Sequence, residues 1–391
     1  MSAKRIIVIG SGISGISAAI KTKELGYEVL VLEKSSKSGG IIDSYKNKVN
    51  IELGAHSFYN SYQNCLSLIK KTQFQSQIVE KEKLPFLFDD SGNFISIFKK
   101  LHNIPMAIGM LKWYMTSRVG KSVSQHYSKI FGKRNYASIL KYCFNAVLSQ
   151  NAQDFPADLL FKVKKRDKNF PRCFGFKNGM ASFIDHLVSF YQLDIKYDIQ
   201  IERLEQSDHK IIVESNLGKL EADKLIIACD VSSASFLLKN MNLEVARILD
   251  AIFVSKILSC AIEVNSSKLD LRRLAGIIGS QNSDYYSIVS ADPFVSAQSG
   301  TRGFVIHFKY QPKLSKESLV ENICMIFKIN QNDILHFHTK EQSVPMLKVG
   351  HQTLVEKVDK LLFGTNIYLT GNYFNRLAVE DCVERSFSLE L

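Results

Sequence analysis

Residues Lys4 to Ser35 read KRIIVIGSGISGISAAIKTKELGYEVLVLEKS. Ile6 to Ile9 is a β-branched apolar run, the pattern of a strand buried on both faces. Gly10, Gly12 and Gly15 follow at once, and Ile13, Ile16, Ala19 and Ile20 then recur at helical spacing. Gly26 predicts the helix end. Val29 to Leu32 predicts a second buried strand, closed by Glu33. The unit is a complete βαβ start with a G-x-G-x-x-G turn. Gly10 permits the tight turn, Gly12 lets backbone approach a pyrophosphate, and Gly15 lets the helix pack on the sheet. The loop Gly10-Ser11-Gly12-Ile13-Ser14-Gly15 therefore offers its N–H groups and a helix N-terminus to phosphate. Glu33, with Lys34 beside it, stands where an acid accepts hydrogen bonds from ribose hydroxyls, and its charge disfavours a 2′-phosphate.

FAD and NAD share an ADP-ribose half, so this loop does not separate them. Ser38-Gly39-Gly40 and Glu52-Leu53-Gly54-Ala55-His56 come next. The pair EKSSKSGG and ELGAH resembles the FAD-binding start of the flavin amine oxidase and protoporphyrinogen oxidase superfamily. The resemblance implies FAD as cofactor, with Gly39 and Gly40 beside its pyrophosphate and Gly54, Ala55 and His56 near the flavin. Ile41 stands where that family usually has Arg. The far end, NIYLTGNYFNRLAVEDCVERS from Asn366 to Ser386, predicts a strand at Ile367–Leu369, a turn at Gly371-Asn372 and a helix over Val379–Phe387. In the resembled family this helix points its N-terminus at the pyrimidine side of the flavin. A positive helix end there favours negative charge on the reduced ring. Gly371 and Val379 join the expected cofactor residues on that ground.

With 391 residues the chain can bury a large core in two or three domains, and 46% hydrophobic content is ordinary for a globular protein. No run reaches the roughly 18 apolar residues that cross a bilayer. The charged start is accounted for by the βαβ unit, so the chain is read as unprocessed. A formal net charge of +12 favours polyanions, an anionic membrane surface or acidic substrates. No recognition helix, zinc finger or RNA-binding motif is present, so nucleic acid is not an expected partner. The 7 cysteines form no C-x-x-C pair, and the 9 histidines lack ligand spacing. The expectation is reduced thiols, a cytoplasmic setting and no metal site.

Further along, NGMASFIDHLV after Gly179 predicts an amphipathic helix. Leu193–Ile201, Ile211–Glu214 and Lys224–Cys229 predict strands. This block resembles the second FAD-domain segment of the superfamily, where a residue near Ile199 or Ile201 packs on the adenine. The fold expected is α/β: a Rossmann-like FAD-binding domain built from discontinuous segments at 1–85, 172–235 and 343–391. An insertion at 86–171 is expected to be mostly helical, and one at 236–342 to be an antiparallel-sheet substrate domain. In the helical insertion, the apolar run Ile104–Leu111 is flanked by Lys99, Lys100, Lys112, Arg118 and Lys121, with Trp113 and Tyr114 at its edge. That pattern suits a helix lying in a membrane interface, or a core helix with solvated lysines. The basic run Lys162 to Lys168 is a second candidate for headgroup contact.

Pro345, Gly350 and His351, then Val379, Asp381 and Cys382, carry a narrower resemblance to protoporphyrinogen oxidases. It implies a porphyrinogen-like substrate, oxidised by hydride transfer to flavin with O2 as acceptor. It also implies a homodimer attached at the inner face of a cell membrane. Lys83-Leu84-Pro85-Phe86 departs from the family's basic residue before a hairpin, and Ser386 replaces a usual Gly. No catalytic residue is nominated, although His56, His351 and Asp381 are polar groups near the expected site. The alternatives are an amine or amino acid oxidase, which would need an aromatic pair or an Arg clamp, and a flavin-binding protein without turnover. An NAD-dependent dehydrogenase would need a second nucleotide loop, which the sequence lacks.

Overall fold

The computed structural model describes residues 4–113, 115–161, 164–207, 210–296, 298–311 and 315–391. Tyr114, Lys162 and Val163 lie outside them. The apolar run after Arg5 forms β1 (Arg5–Ile9), the centre of a five-stranded parallel sheet. Its neighbours are β2 (Glu28–Leu32), β3 (Asp194–Lys196), β4 (Lys224–Ile227) and β5 (Ile367–Leu369), in the order β3-β2-β1-β4-β5. Ile6 to Val8 are wholly buried because helices cover both faces. On one face lie α1 (Ile13–Glu24) and the helix Gln63–Lys71, with α4 (Ala181–Phe190) and α5 (Val379–Phe387) beside them. On the other lie the helices Val231–Leu238, Leu243–Asp250 and His351–Leu362. Ser386 explains its place in α5. Its buried hydroxyl donates to the Ser14 carbonyl of α1 at 2.8 Å and shares a hydrogen with Thr370 Oγ1 at 2.8 Å. A hydrogen bond thus ties the first helix to the last where the resembled family has Gly.

Two strand expectations are corrected. Leu193–Ile201 is not one strand: β3 ends at Lys196, Asp198 takes a left-handed φ of 58°, and a separate strand runs Ile201–Ser207. The apolar residues in this stretch serve two different sheets, which a single period hid. The strand expected over Lys224–Cys229 ends at Ile227, because Asp230 caps the next helix through Ser233.

A seven-stranded sheet forms the second layer. Its order is Ile334–Pro345, Val254–Asn265, Thr301–Lys309, Tyr285–Ser290, Gly276–Ile278, Phe86–Asp90 and Asn93–Ser96. Phe86–Asp90 pairs in parallel with Gly276–Ile278, so the segment 86–171 opens with two strands and is not helical throughout. Helix Lys316–Phe327 covers one face. On the other, Val49, Ile51 and Leu53 pack against Ala261, Ala291 and Val305. That contact carries the chain directly into Gly54-Ala55-His56.

The helical part contains α2 (Asn103–Trp113) and α3 (Val123–Phe131). A Cβ on Gly109 of α2 would strike the Phe131 ring, so the two helices touch there through glycine. Trp113, whose pattern suits a membrane boundary or a core helix, packs inward with its ring centroid 5.5 Å from Tyr127 and 5.7 Å from Phe131. Lys164 also turns inward, at 2.9 Å from Asp381 and 3.1 Å from Glu384, which removes it from any headgroup role. Among the described residues no helix is long and apolar enough to cross a membrane.

Candidate active site

The glycine turn is locked from both sides. The Gly10 N–H donates to the Leu32 carbonyl at 2.8 Å, and the Ala228 N–H donates to Ile9 at 2.8 Å. Gly10 holds φ at +99°, which other residues rarely adopt. A Cβ on Gly15 would overlap the Gly10 carbonyl oxygen. Gly12 is different. Its φ of −67° and ψ of 175° suit any residue, and a Cβ there would meet nothing nearer than Gly39 O at 3.9 Å. No protein atom requires glycine at 12. The space before it is kept for something outside the chain, which is what close approach of a pyrophosphate demands.

The surroundings agree with that use. Helix α1 follows its cap residue Gly12 with no side-chain cap and no acid in its first turn, so its free N–H groups and positive end are available to an anion. The Gly39 N–H donates to the Ser11 carbonyl at 3.0 Å, which brings the second glycine pair against the first. Glu33 accepts from the Ser11 N–H at 2.7 Å, the Ser11 hydroxyl at 2.8 Å and the Ser35 N–H at 2.8 Å. The adjacent Lys34 is exposed. The Ile199 N–H donates to the Glu33 carbonyl at 2.8 Å. Ile199 therefore sits beside the acid, whereas Ile201 begins the neighbouring sheet. Helix α5 starts at Val379 behind Ala378, also without a side-chain cap. Its two acids turn away. Glu380 accepts from the N–H groups of Asn64 and Cys65, and Asp381 is held by Lys164 and by Arg376 at 3.1 Å. Gly371, before α5, keeps the backbone clear of the Tyr373 ring.

Ile41 leaves the second glycine turn without a basic side chain of its own. Lys340, on the strand Ile334–Pro345, reaches it instead. Its ammonium donates to the Gly40 carbonyl and to Asp43, each at 2.7 Å. Lys37 also binds Asp43 at 2.6 Å, and these two ammonium groups hold the Asp43 carboxyl below its usual range despite burial.

Beyond Gly54-Ala55 the chain opens on a cavity of ≈ 240 Å³. Its walls include Ile51, Phe176 and Val305, with Glu52, His56, Lys81 and Lys177 among the polar members. Lys81 donates to Ser57 Oγ at 3.1 Å and lies 5.8 Å from the Phe294 ring centroid. Among the described residues it forms no ion pair, and burial lowers its pKa. His56 Nε2 is 3.0 Å from His307 Nε2, and His307 Nδ1 is 2.9 Å from Ser259 Oγ. Burial brings His307 down to about 4. Burial, then His307 and Lys81, hold His56 well below the ordinary histidine value. Burial pushes the Glu52 carboxyl up to about 7, against hydrogen bonds from Ser44 Oγ at 2.5 Å and the Met180 N–H at 3.0 Å.

Of the three polar groups noted in the sequence, only His56 lines the cavity. His351 Nε2 donates to the Tyr373 carbonyl at 2.7 Å, and Asp381 is consumed by its ion pairs. Lys81, His307, Ser259 and Lys340 carried no local signal. Each stands in or beside an ordinary strand pattern, and only pairing across the chain gathers them.

Residues 8–72 match the family model of an NAD(P)-binding Rossmann-like domain. L-amino acid oxidase Lm29 of Lachesis muta is 25% identical over an alignment of 272 positions that covers 59% of this chain and 52% of that protein. The chain thus spans about half the length of the curated relatives it matches. A crystal structure from Exiguobacterium sp. 255-15, provisionally assigned as a protoporphyrinogen oxidase, superposes with a TM-score of 0.82 over 99% of this chain and 98% of its own, at 14% identity. The fatty acid isomerase of P. acnes that produces CLA superposes at 0.72 over 98% and 97%, also at 14% identity. The fold is therefore one shared with flavin amine oxidase-like α/β structures, with a Rossmann-like dinucleotide-binding unit at its start, and the open approach at Gly12 with two uncapped helix starts fits FAD. The residues that would hold FAD are the Ser11–Gly15 loop, Glu33, Gly39 and Gly40, and the start of α5.

Alanine should behave differently at Gly12 and at Gly15. Apoprotein carrying Gly12→Ala should melt within about 1 kcal/mol of wild type, while calorimetry shows FAD affinity reduced at least tenfold. Gly15→Ala should lose more than ~3 kcal/mol of stability as well. Equal stability losses would mean that Gly12 serves packing.

Glu52 predicts a pH effect. Its native pKa of about 7 lies above an unfolded value of about 4.3. The stabilisation from its protonated form is full at pH about 4 and is lost as pH rises through about 7. The difference is on the order of 3 kcal/mol. Urea denaturation should show a flatter pH profile for Glu52→Gln than for wild type. Identical profiles would remove Glu52 from the account.

Proposed function

We propose that this chain is an FAD-dependent oxidase acting on a porphyrinogen-like substrate, with O2 as the final acceptor and the porphyrin as product. The observation that carries this reading is Lys81, a largely buried ammonium that forms no ion pair among the described residues, on the wall of a cavity whose one carboxyl, Glu52, is pushed toward its neutral form by burial. A buried charge left unpaired costs several kcal/mol, and a substrate carboxylate would offset that cost. An apolar ring bearing a propionate matches both parts of the site. The volume, below the roughly 300–1,000 Å³ usual for small-molecule pockets, suits one pyrrole and its propionate arm rather than the whole macrocycle. When bound, the flavin supplies a hydride acceptor that oxygen restores. The chain's own residues orient the carboxylate through Lys81 and surround the ring with apolar side chains that exclude water.

Oxidation of L-amino acids is the second reading, supported by the Lachesis muta relative. It would call for a guanidinium clamp, and no arginine is among the described residues lining this cavity. The test is the absorbance of the FAD-loaded protein on anaerobic addition of protoporphyrinogen IX. Bleaching of the flavin bands is expected, with Lys81→Met weakening the apparent affinity about tenfold or more. Bands that stay oxidised with the porphyrinogen but bleach with an L-amino acid would overturn the substrate.

We infer in addition that α2 rests on an anionic bilayer surface. Gly109 is its only fully buried residue, while Ile104 and Leu111 are each 77% exposed. Between Asp90 and Asp154 the chain has nine lysines and arginines and no acid. An apolar face within a basic field fits anionic headgroups over acyl chains. Wild type should sediment with phosphatidylserine-containing vesicles, less so as salt rises. The double variant Ile104→Asp, Leu111→Asp should stay in the supernatant with its flavin spectrum intact. Undiminished sedimentation of that variant would sink the idea.

A further inference from the structure

Two histidines that lie 251 positions apart in sequence face each other at the cavity. His56 follows Gly54-Ala55, and His307 stands on the strand Thr301–Lys309 with Ser259 of the adjacent strand behind it. The geometry points to His56 as the proton acceptor for a substrate in this cavity, with His307 and Ser259 as the residues that position it. This rests on the oxidase reading above and deepens it.

The tautomers of the two rings decide which nitrogen can take a proton. Both rings are neutral near pH 7, because burial disfavours charge on each. One hydrogen then lies between the two Nε2 atoms, and the chain of bonds runs in one of two directions. In the first, Ser259 donates to His307 Nδ1, His307 Nε2–H donates to His56 Nε2, and His56 Nδ1 carries a hydrogen. In the second, His56 Nε2–H donates to His307 Nε2, His307 Nδ1–H donates to Ser259 Oγ, and His56 Nδ1 keeps its lone pair. His56 Nδ1 has no hydrogen-bond partner among the described residues. The Lys81 ammonium acts on this ring and disfavours added positive charge. The second direction is the one proposed, in which His56 Nδ1 is an available base.

The proton balance is simple. A substrate N–H bond breaks and its proton goes to His56 Nδ1. For a porphyrinogen that bond is a pyrrole N–H. Its electron pair forms a ring C=N bond, and the two ring double bonds each shift by one position so that the last becomes a C=C bond to the meso carbon. A meso C–H hydrogen leaves with its own pair as hydride, which bound FAD would accept. The resulting imidazolium still donates through Nε2 to His307, which carries the added charge in part. The charged and titratable groups facing this ring are Lys81, Lys177 and Glu52 on the cavity wall and His307 behind it. Of these, Lys81 opposes protonation directly. A substrate carboxylate against Lys81 would cancel that opposition, so binding makes His56 a stronger base at the moment it is needed.

The test uses FAD-loaded protein labelled with 15N-histidine, with His56→Gln to assign the resonance. Wild type should show His56 hydrogenated at Nε2 and His307 at Nδ1. Adding 3-phenylpropionate, an aromatic propionate, should raise the His56 pKa by about one unit or more. Lys81→Met should abolish that response. In rapid mixing with protoporphyrinogen IX, His56→Gln should retain its flavin spectrum and its reduction by dithionite, yet bleach roughly 100-fold slower or worse. His307→Asn should slow bleaching less and shift the acid limb of its pH profile. A His56 found hydrogenated at Nδ1, or a His56→Gln variant that bleaches at the wild-type rate with an unchanged pH profile, overturns the proposal. If protoporphyrinogen IX does not bleach wild type, the substrate reading falls. The tautomer and the pKa response then still decide the role of His56.

Discussion

The Gly10 carbonyl lies so close to Gly15 that no side chain fits between them. This contact pins the start of α1 over the end of β1, with Leu32 and Ala228 holding the turn from either side. The helix position and the open approach at Gly12 follow from it. Hydrophobic burial on both faces of the parallel sheet supplies the driving force, but it is indifferent to where the helix starts. The glycine contact sets that. Once α1 is placed, α5 is placed as well, through the Ser386 hydroxyl on Ser14. Two uncapped helix starts, at Gly12 and Ala378, are the result.

The second layer works by leaving polar groups underpaired. Ile51 and Leu53 pack on the underside of the seven-stranded sheet and draw the next residues against it. His56 meets His307 there, and Lys81 and Glu52 face the same cavity. All four are shifted toward neutrality by burial. A protein selected for stability alone would replace such groups with apolar side chains. A site that must handle a carboxylate and a proton has use for them, since small changes in charge on binding then move their protonation.

Much of the nucleotide half could be read from short stretches. Gly10 to Glu33, Ile367–Leu369 and Val379–Phe387 all form the elements their patterns predict, because each depends on residues within one turn or one βαβ unit. The failures have a common source. Leu193–Ile201 was read as one strand because alternation says nothing of a switch between sheets at Asp198. Phe86–Asp90 pairs locally with Asn93–Ser96, but it joins the seven-stranded sheet only through Gly276–Ile278, nearly two hundred positions later. Trp113 is amphipathic in any context, and only α3 decides that it faces inward.

By itself the sequence determined the dinucleotide loop, the acid that follows it and the class of fold, since backbone sterics and hydrophobic period act over a few residues. It also held the basic, acid-free stretch around α2, because charge is additive along a chain. Only the tertiary structure decided which polar groups share a cavity. His56 with His307, and Lys340 with Gly40, are pairs separated by 251 and 300 positions. Their meeting depends on the register of the sheet and on which way a strand turns its alternate side chains, and a single slip of one residue would have sent His307 to the opposite face.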